Sequence, residues 1–424
     1  MRHDYVDLKY EPKGNEILCM FYVEPAEGYT LKEAATHLAG ESSIDTWSDI
    51  VTLSPIIAKE LKPHVYYVNP RKKIIKVAYN LKLFELGSIP QLLSSVAGNI
   101  YGMKLVKNLR LLDIRFPKAY VDSFLGPLYG LNGVRQVLEI KDRPLLGTIV
   151  KPKVGLTSEQ HAKVAYDAWL GGLDIVKDDE NLTNQDFNDF ETRVKLTLKA
   201  RKEVERKTGA KKGYMANISA ATVDEMVARA KIVKKHGGRY AMIDIVTVGF
   251  TGLQSFRKEN EKLGLIIHAH RAMHAALTRN PYHGMTMLTL AKLARLAGVD
   301  QLHIGTVVGK MAGDKTEVLN IRDNIVKKKV EKTNLNFAQN WYNIKPVFPV
   351  ASGGLNPVQI PELYKIFGKD VILQFGGGVH AHPEGTLKGA KACRDALDAT
   401  LAGISLKVAA KKSKELALAL KKWG

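Results

Sequence analysis

In the stretch GGLDIVKDDE (171–180) a lysine, Lys177, abuts three acids, Asp178, Asp179 and Glu180, at the end of a short apolar run. Leu173-Asp174-Ile175-Val176 reads as a buried strand entering from a Gly-Gly turn. Side chains alternate along a strand, so Lys177 and Asp179 share one face and Asp178 points to the other. Glu180 lies where strand gives way to loop and can swing back. Two carboxylates plus water suit Mg2+, a hard ion that takes octahedral oxygen ligands at about 2.0–2.1 Å. A protonated lysine beside that ion would be repelled. A lysine amine that has reacted with CO2 becomes an anionic carbamate and offers a third oxygen. Taken alone, the decapeptide also fits a solvated ion-pair cluster in which Lys177 neutralises its neighbours.

The other unusual polar residues fall in comparable places. Lys151 and Lys153 close the segment 144–153, Asn217 lies in 214–220, and His270 ends the run 264–270, with Arg271 and His274 just beyond it. His303 sits in 301–307 with Lys310 in the loop beyond; Ser352-Gly353-Gly354 end 347–354, and Gly376-Gly377-Gly378 end 371–378. With 173–180 and 240–246 these make eight strand-like segments, each followed by a helical one. Strands alternating with helices imply a parallel sheet, because each crossover returns the chain to the same end. Eight such units in about 280 residues match a (β/α)8 barrel, whose C-terminal mouth would gather all of these residues. An open doubly wound sheet is the runner-up, but it does not naturally use eight consecutive units.

Local signals place the helices. Thr222 with Glu225, and Thr157 with Gln160, have capping-box spacing. Gly171 or Gly172 can close the helix after Thr157 in a left-handed conformation. The glycine-rich ends of the seventh and eighth segments suit phosphate, because glycine lets backbone amides approach an anion closely. Arg271, with His303 nearby, suggests a second anion site. Two phosphate sites flanking a metal imply a substrate phosphorylated at both ends. His161 and His236 have no such context and read as structural.

The rest of the 424-residue chain sets the frame. EILCMFYVEP and KIIKVAYNLKLF resemble strands and TLKEAATHLAGESS a helix ending at Gly40, so residues 1–125 read as a compact α+β domain ahead of a barrel domain, 126–424. The fold class is therefore α/β, a C-terminal (β/α)8 TIM barrel with an N-terminal α+β domain. Only two cysteines, Cys19 and Cys393, argue against a disulfide framework or thiolate zinc site. The start is charged and interrupted by Pro12, and no run approaches the roughly 18 apolar residues of a spanning helix. A cytoplasmic protein without membrane partners is expected. The net charge of +20 favours anionic partners, but basic runs such as 201–212 and 323–332 lack interleaved aromatics and read as solvated faces rather than nucleic-acid sites. The tail LKVAAKKSKELALALKKWG reads as one amphipathic helix.

The motifs GTIVKPKVGL, GGLDIVKDDE, HAHRAMHAA, HIGTVVGKM, PVASGG and LQFGGG, in this order, resemble those of the ribulose-1,5-bisphosphate carboxylase/oxygenase (RuBisCO) large chain. GESSIDTW and SSVAGNIYGMKLVKNLRLLDIRFP extend the likeness over nearly the whole chain, and the short length is most similar to the archaeal, form III branch. The resemblance implies carboxylation of ribulose 1,5-bisphosphate by CO2 and water to two 3-phosphoglycerates through a Mg-stabilised enediolate, with an oxygenase side reaction on O2. It implies Mg2+ held by Asp179, Glu180 and the carbamate formed on Lys177 by an activating CO2, that carbamate being the base toward the C3 proton. Lys151 would transfer protons around C2, Lys153 would support the metal cluster, His270 would act on substrate hydroxyls and ketone hydration, and Lys310 would close over the site. One phosphate would meet Arg271 and His303, the other Gly354, Gly376 and Gly377 (beside Gly353) with Thr46 and Trp47; Ser352 would hold a sugar hydroxyl. Glu41, Thr46, Trp47 and Asn99 would come from a neighbouring subunit, making a homodimer the minimal active unit, with higher assemblies of dimers open and no small subunit implied.

Three positions depart from the pattern. Asp45 stands where ESSxGTW usually has glycine, Ile149 replaces a substrate-contacting threonine of plant-type members, and Met311 follows Lys310 where leucine is common. Thr148 faces the other way and cannot simply replace that threonine. A RuBisCO-like enolase or isomerase acting on a related phosphorylated sugar is the alternative; such homologues typically lose several carboxylation residues, whereas Lys151, Lys177, His270, His303 and Lys310 are all here. Nucleotide-ribose salvage and a carbon-fixation cycle both remain open as pathways.

Overall fold

Each of the eight strand-like segments forms a strand, and the eight close into a parallel barrel in chain order. They are β1 (Leu145–Ile149), β2 (Ile175–Lys177), β3 (Gly213–Asn217), β4 (Tyr240–Asp244), β5 (Ile266–His270), β6 (Gln301–His303), β7 (Phe348–Ser352) and β8 (Ile372–Phe375), which pairs back onto β1. The structure is a computed structural model and describes residues 4–46, 51–308 and 315–424. The barrel belongs to a unit of residues 127–272, 298–326 and 345–424; a second unit comprises 1–126, 273–297 and 327–344.

Barrel strands are covered on both faces and so read as near-continuous apolar runs. Their first inward residues, Leu145, Ile175, Tyr240, Ile266, Phe348 and Ile372, form one buried cluster with Met215, Met242 and Val350. The helix Gly130–Leu138 plugs the N-terminal end of the barrel with Leu131, Val134 and Leu138, spaced to share one helix face. Each such side chain, once buried, contributes about 1.5–3 kcal/mol. Asp300 fixes the plug's entry by accepting from the amides of Tyr129 (2.7 Å), Gly130 (2.7 Å) and, on β5, Ile267 (2.8 Å). Helix-start amides lack intrahelical acceptors, and the carboxylate supplies one.

Of the two expected capping boxes, Thr157–Gln160 is complete ahead of helix Ser158–Leu170, and Gly172 beyond that helix has a positive φ of 107°. At Val223–Lys235 only half forms. Thr222 accepts from the Glu225 amide, while the Glu225 carboxylate lies 3.5 Å from Arg229 one turn on. An i,i+4 ion pair competes with the return bond. The tail is two helices, not one: Leu406–Ala409 and Lys414–Trp423. Ser413 breaks it by capping the second helix through the Leu416 amide and donating to Asp395 at 2.5 Å.

The other unit is built on a five-stranded sheet in the order Gly284–Met285, Val106–Arg115, Glu16–Pro25, Ile74–Asn80, His64–Asn69, antiparallel except at its Gly284–Met285 edge. Asp113 and Lys292 form a fully buried ion pair at 2.7 Å, and Asp113 also accepts from the Phe337 amide at 2.7 Å, so one carboxylate ties together three distant parts of the chain. Both cysteines are free and buried. Among the described residues no helix is long and apolar enough to cross a membrane.

Candidate active site

The alternation that fills the barrel floor with apolar side chains turns polar one step further along the same strands. Lys177 follows Ile175 by two residues, Asn217 follows Met215, Asp244 follows Met242, His268 and His270 follow Ile266, and Ser352 follows Val350. Polar inward residues therefore lie at the C-terminal ends of the strands, above an apolar floor.

Lys177 is fully buried; its Nζ donates to the Asp178 carbonyl at 2.6 Å and lies 3.9 Å from Glu180 Oε2. Burial drives its pKa below the usual lysine value, against the opposing pull of Glu180, Asp244, Asp179 and Asp178. Asp179, also buried, takes a 2.5 Å bond from Lys151 Nζ. Glu180 lies 3.5 Å from Lys153 and 3.7 Å from His270 Nε2. Its burial would raise the carboxyl, but the charges of Lys177 and His270 outweigh that and bring it to about 2.

Asp178 faces the opposite way, as alternation predicts. It accepts from the Tyr214 hydroxyl at 2.6 Å and the Asn217 amide at 2.9 Å, with Arg193 Nε at 3.3 Å and His161 Nε2 at 3.1 Å. Its complete burial would raise it; Arg193 and His161 win and hold it well below the usual carboxylate range. Asp178 thus anchors the strand end from behind, and His161 is the structural histidine the sequence suggests. His236, 3.8 Å from Glu191, likewise stays outside this set.

Asp244, at the end of β4, is a residue that sequence reasoning missed. Its Oδ1 lies 2.9 Å from His270 Nδ1 and its Oδ2 3.3 Å from Asn217 Nδ2, so it orients the imidazole whose other nitrogen faces Glu180. The signal was present, since Asp244 ends its strand two residues beyond apolar Met242, just as Lys177 follows Ile175 and Asn217 follows Met215. His268 and Gln301 were missed as well. His268 bonds Gln301 Oε1 (2.9 Å) and His303 Nε2 (3.0 Å), and His303 Nδ1 bonds Ser352 Oγ (2.7 Å). Burial holds His268 and His303 well below the ordinary histidine pKa.

The glycine-rich ends pack closely. A Cβ on Gly378 would fall 2.1 Å from the Leu355 carbonyl oxygen, so only glycine lets the loop after β8 pass the loop after β7. Ser352 leads into Gly353 and Gly354, both at positive φ (122° and 74°). Lys151 Cε comes within 3.6 Å of where a Cβ on Gly376 would sit, and Gly377 opens the short helix Gly377–His380. Arg271 Nη2 lies over Gly305 in the loop after β6, and burial brings the guanidinium down to about 10. His380, another residue not foreseen, spans the β8–β1 seam. Its Nε2 lies 2.9 Å from both Thr148 Oγ1 and the Ile149 carbonyl, and its Nδ1 is 3.0 Å from Thr386 Oγ1. Thr148 donates to the Phe375 carbonyl at 2.6 Å and is fully buried in the seam, so it does not stand in for a threonine at Ile149.

Not every candidate joins this group. His274 belongs to the other unit and bonds Thr278 within its own short helix at 2.9 Å. Glu41, Thr46 and Asn99 also belong to that unit, Glu41 ending the helix Leu31–Glu41 and Asn99 opening the turn Asn99–Gly102. Asp45 accepts from the Tyr5 hydroxyl at 2.9 Å and from the Thr46 amide at 2.8 Å. Trp47, Lys310 and Met311 lie outside the described residues.

A parallel (β/α)8 barrel carrying lysines, carboxylates and histidines at the C-terminal ends of its strands has the architecture of a barrel enzyme. The family model for the ribulose bisphosphate carboxylase large chain, catalytic domain, matches residues 130–423, and that for its N-terminal domain matches residues 4–120. A ribulose bisphosphate carboxylase of Methanosarcina mazei is 58% identical over 100% of this chain and 99% of its own, and one of Methanocaldococcus jannaschii 52% over 99% and 100%. Among solved structures, a dimeric archaeal Rubisco from Hyperthermus butylicus superposes with a TM-score of 0.94 at 45% identity, covering 99% of this chain and 98% of that one. An octameric enzyme from Pyrococcus horikoshii in complex with sulfate gives 0.92 at 49%, covering 99% and 96%. The chain belongs to the RuBisCO large-chain family, and these relatives are archaeal.

Proposed function

We propose that this chain carboxylates ribulose 1,5-bisphosphate to two molecules of 3-phosphoglycerate, with O2 as a competing co-substrate, and that it works in the cytoplasm. The observation that carries the reading is Lys177: a buried lysine with a lowered pKa, at a strand end between Asp179 and Glu180. Only the neutral amine attacks CO2, and burial enlarges that fraction.

The donor set fits Mg2+ on one condition. Among the described residues no group of three or more His, Cys, Asp or Glu side chains could hold a metal by itself. With Lys151, Lys153 and Lys177 all protonated, three ammonium groups face the two carboxylates of Asp179 and Glu180, and the cluster repels a cation. Carbamylation of Lys177 reverses the net sign and adds the missing oxygen donor. Lys177, Asp179 and Glu180 would then hold Mg2+, which supplies charge stabilisation for an enediolate and its carboxylated product.

The side chains divide the remaining work. Lys177 would hold the activating CO2 as its carbamate, and that group would supply the base for the C3 proton, a role that requires hydrogen-bond reach of the substrate. Lys151, hydrogen-bonded to Asp179, returns a proton to C2 after the carbon–carbon bond breaks. His270, oriented by Asp244, exchanges protons with the substrate hydroxyls and assists hydration of the ketone. Lys153 keeps positive charge beside Glu180. Arg271 and the glycine-rich loops (Gly353, Gly354, Gly376, Gly377) bind the two phosphates, Ser352 holds a sugar hydroxyl, and Lys310 covers the new carboxylate. Glu41, Thr46, Trp47 and Asn99 complete the site of a second copy of the chain in a homodimer.

The test is fixation of labelled bicarbonate into 3-phosphoglycerate by the purified protein under anaerobic conditions, after preincubation with CO2 and Mg2+, with Lys177→Ala alongside. Product from the native chain alone is expected. Folded native protein that yields none, yet exchanges the C3 proton of the substrate, would make this an enolase-type relative.

A further inference from the structure

Above the apolar floor, four side chains on three neighbouring strands form a single hydrogen-bonded line: Gln301 Oε1, the His268 ring, the His303 ring and Ser352 Oγ, with successive separations of 2.9, 3.0 and 2.7 Å. Gln301, His268 and His303 are almost completely buried. The polarity of the line follows from its first member. An amide oxygen only accepts, so the hydrogen between Gln301 and His268 is on His268 Nδ1. Burial keeps both imidazoles neutral, so each ring carries one N–H. His268 Nε2 is then a bare lone pair, and a bond between the two Nε2 atoms requires the hydrogen on His303. His303 Nδ1 is bare in turn and can only accept from the Ser352 hydroxyl.

We infer that His268 is a positioning residue that fixes His303 as its Nε2–H tautomer and thereby commits the Ser352 proton to the ring, so that Ser352 meets a bound ligand only as an acceptor. The inference rests on the reading of the barrel mouth as a ribulose bisphosphate site and adds a polarity to it: the sugar hydroxyl at Ser352 must donate. A carbonyl or ether oxygen presented there would face lone pairs. Both nitrogens of His303 are also engaged, so it can reach a phosphate only by giving up one of these bonds, and Arg271 carries the charge at that end.

Two measurements test this. In a neutron structure of the deuterated, substrate-free protein, deuterons are expected on His268 Nδ1 and His303 Nε2, with the Ser352 deuteron directed at His303. A deuteron on His303 Nδ1 overturns the inference, and this arm decides it even if the protein proves inactive on ribulose bisphosphate. In the kinetic arm, His268→Leu removes the acceptor while His268→Gln offers an amide oxygen in its place. The leucine variant is expected to raise KM for ribulose bisphosphate about 5- to 10-fold, the loss that one buried hydrogen bond brings. The glutamine variant should stay within about two-fold. Equal KM values in both folded variants would overturn the positioning role.

Discussion

Single side chains in this protein are set by what lies behind them as much as by what they face. Lys177 is aimed inward because Asp178, the next residue, is gripped from outside by Tyr214, Arg193 and His161. Asp45 illustrates the same logic within the other unit. It occupies a position where the family pattern has glycine, and its carboxylate accepts from both the Tyr5 hydroxyl and the Thr46 amide. The corner is tight, since a Cβ on Gly40 would lie 3.1 Å from both Asp45 Cβ and Tyr5 Cε2. Asp45→Ala and Tyr5→Phe should each destabilise the protein by about 1 kcal/mol. Because both remove the Tyr5–Asp45 bond, the double variant should cost little more than Asp45→Ala alone, a coupling visible in denaturant midpoints. Strictly additive losses would show that Asp45 does not clamp the N-terminal segment.

At the scale of elements, what the sequence made legible was periodicity. All eight barrel strands and their order could be read from apolar runs spaced by helices, and so could the inward direction of Lys177 and Asp179. Bonds closed by distant residues could not be read. The plug helix Gly130–Leu138 looks like any amphipathic segment until Asp300, far along the chain, caps its entry. The tail breaks at Ser413 because Asp395 receives its hydroxyl. His268, His380 and Asp244 looked like ordinary strand or loop residues because their partners lie on other strands. Asp174, inside the opening decapeptide, is a further case. It accepts from Arg143 at 2.7 and 2.8 Å, from Arg394 at 3.2 Å and from the Leu146 amide at 2.8 Å, joining β1, the entry to β2 and the helix Thr386–Leu401. Burial would raise its carboxyl, but Arg394 and Arg143 bring it to about 2. Its folded pKa is therefore depressed, and its contribution is full above the unfolded value of about 3.9 and lost as pH falls through about 2. Asp174→Asn, which leaves two guanidinium groups facing a neutral amide, should cost about 3–5 kcal/mol near pH 6. The gap between native and variant unfolding temperatures should narrow between pH 4 and 2. A gap that does not change with pH would mean that the charge of Asp174 is not what holds these elements.

For the whole molecule, the proposed division of the site between two chains has a consequence that no single-chain mechanism shares. If the barrel of one copy works with Glu41 and Asn99 of another, a chain with a dead barrel can still serve its partner. Lys177→Ala alone and Asn99→Ala alone should each lose most carboxylation. In a dimer that pairs one of each, one site carries both lesions and the other carries neither. Random association makes about half the dimers mixed, and one of the two sites in each is intact, so the mixture should regain about a quarter of native activity. Joint expression, or mild dissociation and reassembly of the two purified variants, would reveal this as activity that neither parent has. The recovered sites should have the native KM, since each is built from unmodified residues. If the mixture stays as inactive as its parents while size measurements show that mixed dimers have formed, Asn99 acts on the barrel of its own chain or not at all. In that case the reading of residues 1–125 as a donor to the partner's site fails, while the chemistry assigned to Lys177, Asp179 and Glu180 is left untouched.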